Sequence, residues 1–62
     1  MSNAEKNGRL LTVVDLVGQA LHEANPYGLE IEVMASTMIQ LQDNPEMDLS
    51  VALQNALNDW DI

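Results

Sequence analysis

From Leu10 to Trp60 the apolar residues recur every three or four positions, in three stretches separated by two proline-containing breaks. This spacing predicts three helices. The last stretch, Leu49 to Trp60, is the most regular. Leu49, Leu53, Ala56 or Leu57, and Trp60 make one stripe, and Ser50, Gln54, Asn55, Asn58 and Asp59 lie off it. Trp60 is the only tryptophan and there is no phenylalanine, so this stripe is the expected surface on which the other helices close.

The first helix is expected to begin near Thr12. Thr12-Val13-Val14-Asp15 has the shape of a capping box, with Asp in place of Glu. Leu10, Val13, Val14, Val17, Leu21 and Ala24 share a face, flanked by Leu11 and Leu16. The apolar arc is about 220° wide at about 100° per residue, broader than a three-helix monomer requires. Gly18 stands near its edge, either as a tolerated helix glycine or as a point where another backbone approaches closely. Residues 1–9 are polar and aperiodic and are expected to form a flexible tail before a single helical domain over 10–62. Ser2-Asn3-Ala4 matches a common remnant of tag removal and is left out of the fold reading.

Asn25-Pro26-Tyr27-Gly28 ends the first helix. Proline cannot extend the hydrogen-bond ladder, and Gly28 supplies a positive φ if the turn needs one. Tyr27 is placed to cap the core edge with its hydroxyl in water. Leu29 to Val33 alternates and could be a strand, but a strand without a partner does not stand alone, so a helix is expected through Gln42. On that helix Ile31, Met34, Ala35, Met38, Ile39 and Leu41 form the expected inner face. Glu32, Ser36, Thr37 and Gln40 form the outer one, with Val33 stranded among them. Asp43-Asn44-Pro45 is the second break, and Asp48 is the expected N-cap of helix 3, with Met47 and Ala52 placed for a hydrophobic staple. The expected fold is all-α, a small three-helix bundle that dimerises through apolar helix faces. Leu11, Val14, Leu16 and Gly18 are the candidate dimer-interface residues.

Size sharpens this expectation. A 62-residue chain is one domain at most and marginally stable alone. With no cysteine and one histidine, neither disulfides nor a structural zinc can staple it, so a second subunit is the remaining support. No apolar run is long enough to span a membrane and no secretion leader is recognisable, so a cytoplasmic protein without membrane contact is expected.

Charge changes the picture most. Ten acids stand against two bases, for a formal net charge of −8, and both bases, Lys6 and Arg9, precede the first predicted helix. No Glu–Lys pair can form along any helix, and unpaired carboxylates repel one another. Asp59 and Asp61 even crowd the negative end of the last helix. Direct binding to nucleic acid or anionic lipid is disfavoured, because both require cations on the protein.

Enzyme templates find little here. His22 is the only imidazole, and Ser36 and Ser50 have no motif around them. The three glycines lie at 8, 18 and 28, in no phosphate-binding pattern. Asp43-Asn44-Pro45-Glu46-Met47-Asp48 has Pro, Met and Asp where a calcium loop needs two oxygen ligands and a glycine, so turn and cap chemistry explains it better. Helix 3 offers Gln54, Asn55 and Asn58 as in a recognition helix, but no cation beside them. No catalytic residue, metal ligand or cofactor is expected.

The tail Ala56-Leu57-Asn58-Asp59-Trp60-Asp61-Ile62, after Tyr27-Gly28-Leu29-Glu30, is similar in flavour to small helical proteins of bacterial phages and mobile elements. The resemblance covers few residues and brings no activity with it; it implies a host-interacting accessory role. The leading expectation is a non-enzymatic protein-interaction module that binds another protein, with a basic partner among the candidates, through Glu30, Glu32, Asp59, Trp60 and Asp61. The alternative is an acidic nucleic-acid mimic that inhibits a basic nucleic-acid-binding protein.

Because the carboxylates have almost no cations to pair with, moderate added salt should raise the melting temperature by screening their repulsion. Thermal unfolding followed by circular dichroism checks this; an unchanged or lower midpoint would contradict it.

Overall fold

The computed structural model describes the backbone from Asn3 and the side chains from Gly8, in each case to Ile62. Within that range the chain forms three helices, α1 (Asn3–Ala24), α2 (Glu30–Asp43) and α3 (Leu49–Asp59). A single 3-10 turn, Asn25–Tyr27, follows α1. The protein is a small all-α, three-helix domain, as the periodicity predicts.

Helix α1 starts at Asn3, not near Thr12. No proline interrupts the segment, so the backbone ladder runs on through residues expected to be tail. Met1 and Ser2 lie outside the described residues. Thr12 is consequently interior, and its hydroxyl donates back to the Gly8 carbonyl at 3.0 Å instead of capping a helix start. At 22 residues α1 is about 33 Å long. Its C-terminal part meets the rest of the protein. Ala20 and Ala24 are buried, and Leu16 and Val17 pack against the core, whereas Leu10, Leu11, Val13 and Val14 are exposed.

The turn after α1 works as its residues suggest. Gly28 adopts φ 67°, and its N–H donates to the Asn25 carbonyl at 3.0 Å. A side chain at Gly28 would be strained by that φ alone. Leu29 N–H then reaches back to Ala24 O at 3.3 Å. Tyr27 stays exposed, clear of the core.

Helix α2 is rotated relative to expectation, and this is the largest correction. Val33 and Thr37 are its buried residues, at 0% and 1% exposure, while Ile31 is 80% exposed and Met38 and Ile39 nearly 60%. Two features defeat the simple wheel. Thr37 meets its own polar requirement, because its hydroxyl donates to the Val33 carbonyl at 2.8 Å and leaves its methyl free to pack. Gln40 and Ser36, counted as outward-facing, instead bond across to α3. Gln40 Nε2 donates to Ala52 O at 3.1 Å, and Asn55 Nδ2 donates to Gln40 Oε1 at 3.1 Å. The hydroxyl of Ser36 donates to Asp59 Oδ2 at 3.3 Å. The polar edge of α2 is therefore its contact with α3, and most of its apolar residues face outward.

Helix α3 places Ala52, Leu53, Ala56 and Leu57 in the core and keeps Ser50, Gln54, Asn55, Asn58 and Asp59 outside, as its stripe predicts. Asp48 occupies the N-cap position, with extended backbone, but its side chain makes no capping bond. Trp60 departs from expectation: it lies past the helix end and is 43% exposed. The reason is the C-terminal cap. Ile62 N–H donates to Leu57 O at 2.9 Å and Asp61 N–H to Asn58 O at 3.1 Å, with Asp61 left-handed at φ 57°. These are the two bonds of a Schellman motif, and Ile62 completes it by packing on the core. The apolar residue that closes this end is Ile62, and Trp60 is left beside it.

The core is thus built of small residues: Ala20 and Ala24 of α1, Val33 of α2, and Leu53, Ala56 and Leu57 of α3, with Leu16, Val17, Leu29, Met34, Leu49 and Ile62 around them. Leu53 is 4% exposed and is one of the few large side chains inside. Leu53→Ala should cost about 2–5 kcal/mol, the usual range for such truncations in a core. Denaturant titration measures it, and a loss below about 1 kcal/mol would mean that Leu53 carries little of the packing.

Candidate functional site

Three surface grooves lie between the helices, and each takes a share of the acids. Leu16, Gln19, Glu23, Ser50, Leu53 and Gln54 line one of about 170 Å³ between α1 and α3. The second, about 420 Å³, is formed by Leu21 of α1 with Ile31, Met34, Ala35 and Met38 of α2, with Glu30 at its rim. In the third, about 490 Å³, Glu32, Ala35, Ser36, Ile39 and Gln40 of α2 face Asp59 and Trp60 at the end of α3.

This third groove gathers three of the five residues singled out from sequence. Glu32 and Asp59 bring two carboxylates, and Trp60 brings the one indole, alongside Ile39 and Ala35. The two helices are held in register there by the Ser36–Asp59 and Gln40–Ala52 hydrogen bonds. Asp59 therefore has a donor within the protomer. Glu32 differs: its Oε2 is shielded from solvent and has no hydrogen-bond partner among the described residues. A shielded carboxylate oxygen without a donor is a place where a ligand's donor can bind. An indole in the same groove as two carboxylates suits a cationic side chain, through charge and through the ring quadrupole.

The other two candidates have local roles. Glu30 accepts from the Asn25 side-chain amide at 3.0 Å. That bond, helped by Glu30's own backbone N–H, holds its carboxyl below the ordinary value of 4.5. Glu30 thus ties the α1–α2 turn to the first turn of α2, where a negative charge also suits the helix dipole. Asp61 supplies the left-handed residue of the α3 cap. Sequence reasoning missed Ile39, Ser36 and Gln40 as groove residues, because the wheel placed Ile39 inside and the two polar residues at large on the surface.

Of the candidate dimer residues, Leu11 and Val14 are exposed at 68% and 59%, and Gly18 is exposed too. A Cβ at Gly18 would meet nothing within 4 Å, so no backbone of the same chain approaches it. Leu16 is half-buried and packs against the core.

Among the described residues no three His, Cys, Asp or Glu side chains converge as metal ligands would, and no helix is long and apolar enough to cross a membrane. No family model matches the chain, and neither a curated protein nor a solved structure is similar to it.

Proposed function

We propose that this protein is a small acidic interaction module that acts by binding another protein and has no catalytic role of its own. Its docking site is the groove between α2 and the end of α3. The observation that carries the reading is the company Trp60 keeps: an exposed indole next to Ile39, with the Asp59 carboxylate and an unpartnered Glu32 oxygen in the same groove. Such a groove fits a partner that inserts a lysine or arginine between the carboxylates and lays apolar atoms on the indole. A role as a phage or mobile-element accessory protein acting on a host protein is compatible with this chemistry.

The distribution of the acids favours one anchoring groove over nucleic-acid mimicry. Mimicry needs carboxylates ranked along one face like phosphates. Here Glu23, Glu30, and the pair Glu32 and Asp59 belong to three different grooves.

The test is capture of partners on immobilised protein from nuclease-treated cell lysate, with stepwise salt elution, in parallel with two variants. A protein held by the native chain should be lost by Trp60→Ala, since removing an aromatic anchor costs about 2 kcal/mol or more, about a 30-fold weakening. Glu32→Gln should release it at lower salt. A partner held equally well by Trp60→Ala would refute the groove. A nucleic-acid-binding protein that elutes at modest salt whether or not Trp60 is present would favour mimicry instead.

A further inference from the structure

The outer flank of α1 and the outer face of α2 form one continuous apolar surface. Leu10, Val14, Val17 and Leu21 follow at intervals of four, three and four residues along α1. Ile31, Met34 and Met38 follow at three and four along α2. These are the intervals at which helices pack knobs into holes. Leu21 lines one groove together with Ile31, Met34 and Met38, which brings the two rows side by side.

We propose that this surface is occupied by a second copy of the chain, related by a two-fold axis, so that α1 and α2 of both copies form a four-helix bundle. Three observations select that occupant. The first is area. Leu10, Val14, Ile31 and Met38 are exposed at 61%, 59%, 80% and 57% on this face. A standard interface removes about 800 Å² from each partner, and two adjoining rows of large exposed apolar side chains are the kind of surface that supplies it.

The second is charge. Two copies at −8 each repel wherever carboxylates face one another. At about 100° per residue, Asp15 and Glu23 on α1 and Glu32 and Asp43 on α2 are turned roughly 110° or more away from the two rows. Glu30 alone stands at the rim, where Asn25 donates to it. This is the face on which like-charged copies can meet. The third is the inversion of α2, which gives its polar edge to α3 and holds Ile31 and Met38 in solvent at 80% and 57% exposure. Two-fold pairing covers both at once, because the same patch serves both partners. The surface is separate from Trp60, so pairing and partner binding succeed or fail independently.

Sedimentation equilibrium from low to high micromolar concentration tests this. The native chain should reach twice 6.8 kDa, and Ile31→Ser combined with Met38→Ser should weaken the dimer at least about tenfold while helical circular dichroism is kept. If that pair loses helicity, Leu10→Ser with Val14→Ser reads the same surface from the exposed half of α1. Val51→Ser, exposed on α3, and Trp60→Ala should leave the dimer intact. A mass of 6.8 kDa at every concentration would overturn the proposal. So would a dimer indifferent to the α2 and α1 variants, a dimer lost equally with Val51→Ser, or a mass that climbs past two copies.

Discussion

The seat of α2 on α3 is the contact on which the rest of the molecule depends. Val33 and Thr37 are fully enclosed there, and Gln40 links the helices by accepting from Asn55 and donating to Ala52. Two helices whose facing residues are alanine, valine and threonine can approach closely, and the side-chain amides then meet at bonding distance. Once that seat is taken, Ile31, Met38 and Ile39 have no place inside. The alanines of α1 close the third side, and Leu10, Leu11, Val13 and Val14 of the same helix stay exposed. Stability thus rests on a small core and a few cross-helix hydrogen bonds, each worth only about 1 kcal/mol.

That arrangement also divides the surface by chemistry. On one side of α2 is an apolar face nearly free of acids, suited to another copy of the same acidic chain. On the other, Trp60 lies beside Glu32 and Asp59, suited to a cation. Glu32 and Asp59 lie on α2 and α3, which carry no lysine or arginine, so neither has a cationic neighbour on its own helix. The two surfaces share the backbone of α2 and Ala35, which lines both grooves.

Much of the fold was legible in the sequence. Pro26 with Gly28, and Pro45 after Asp43-Asn44, mark both breaks, and the stripe of α3 gives Leu53 and one of Ala56 and Leu57 as core, where the structure buries all three. What failed failed for identifiable reasons. The hydrophobic wheel ranks Thr37 and Gln40 as outward, but a threonine bonded to its own helix and a glutamine bonded to the next helix are both content inside. Trp60 looked like the closing residue because it continues the apolar interval. The left-handed turn at Asp61 hands that position to Ile62, and nothing in a helical period announces such a turn. The start of α1 was placed late because polarity was read as disorder in a segment without a helix breaker. Of the candidate site, Glu32, Asp59 and Trp60 were identifiable as types. Their meeting in one groove depends on the rotation of α2, which periodicity alone pointed the other way.

The orientation of α2 can be tested at Val33, where the two alternatives differ most and where dimerisation does not interfere. The chain has no cysteine, so Val33→Cys introduces a single thiol whose labelling rate reports its exposure. The structure predicts protection of at least about 100-fold relative to the unfolded chain, as expected when labelling requires an opening of about 3 kcal/mol. Labelling as fast as at an exposed control such as Gln54→Cys, in a variant that keeps its helicity, would place Val33 in solvent and return Ile31 and Met38 to the core.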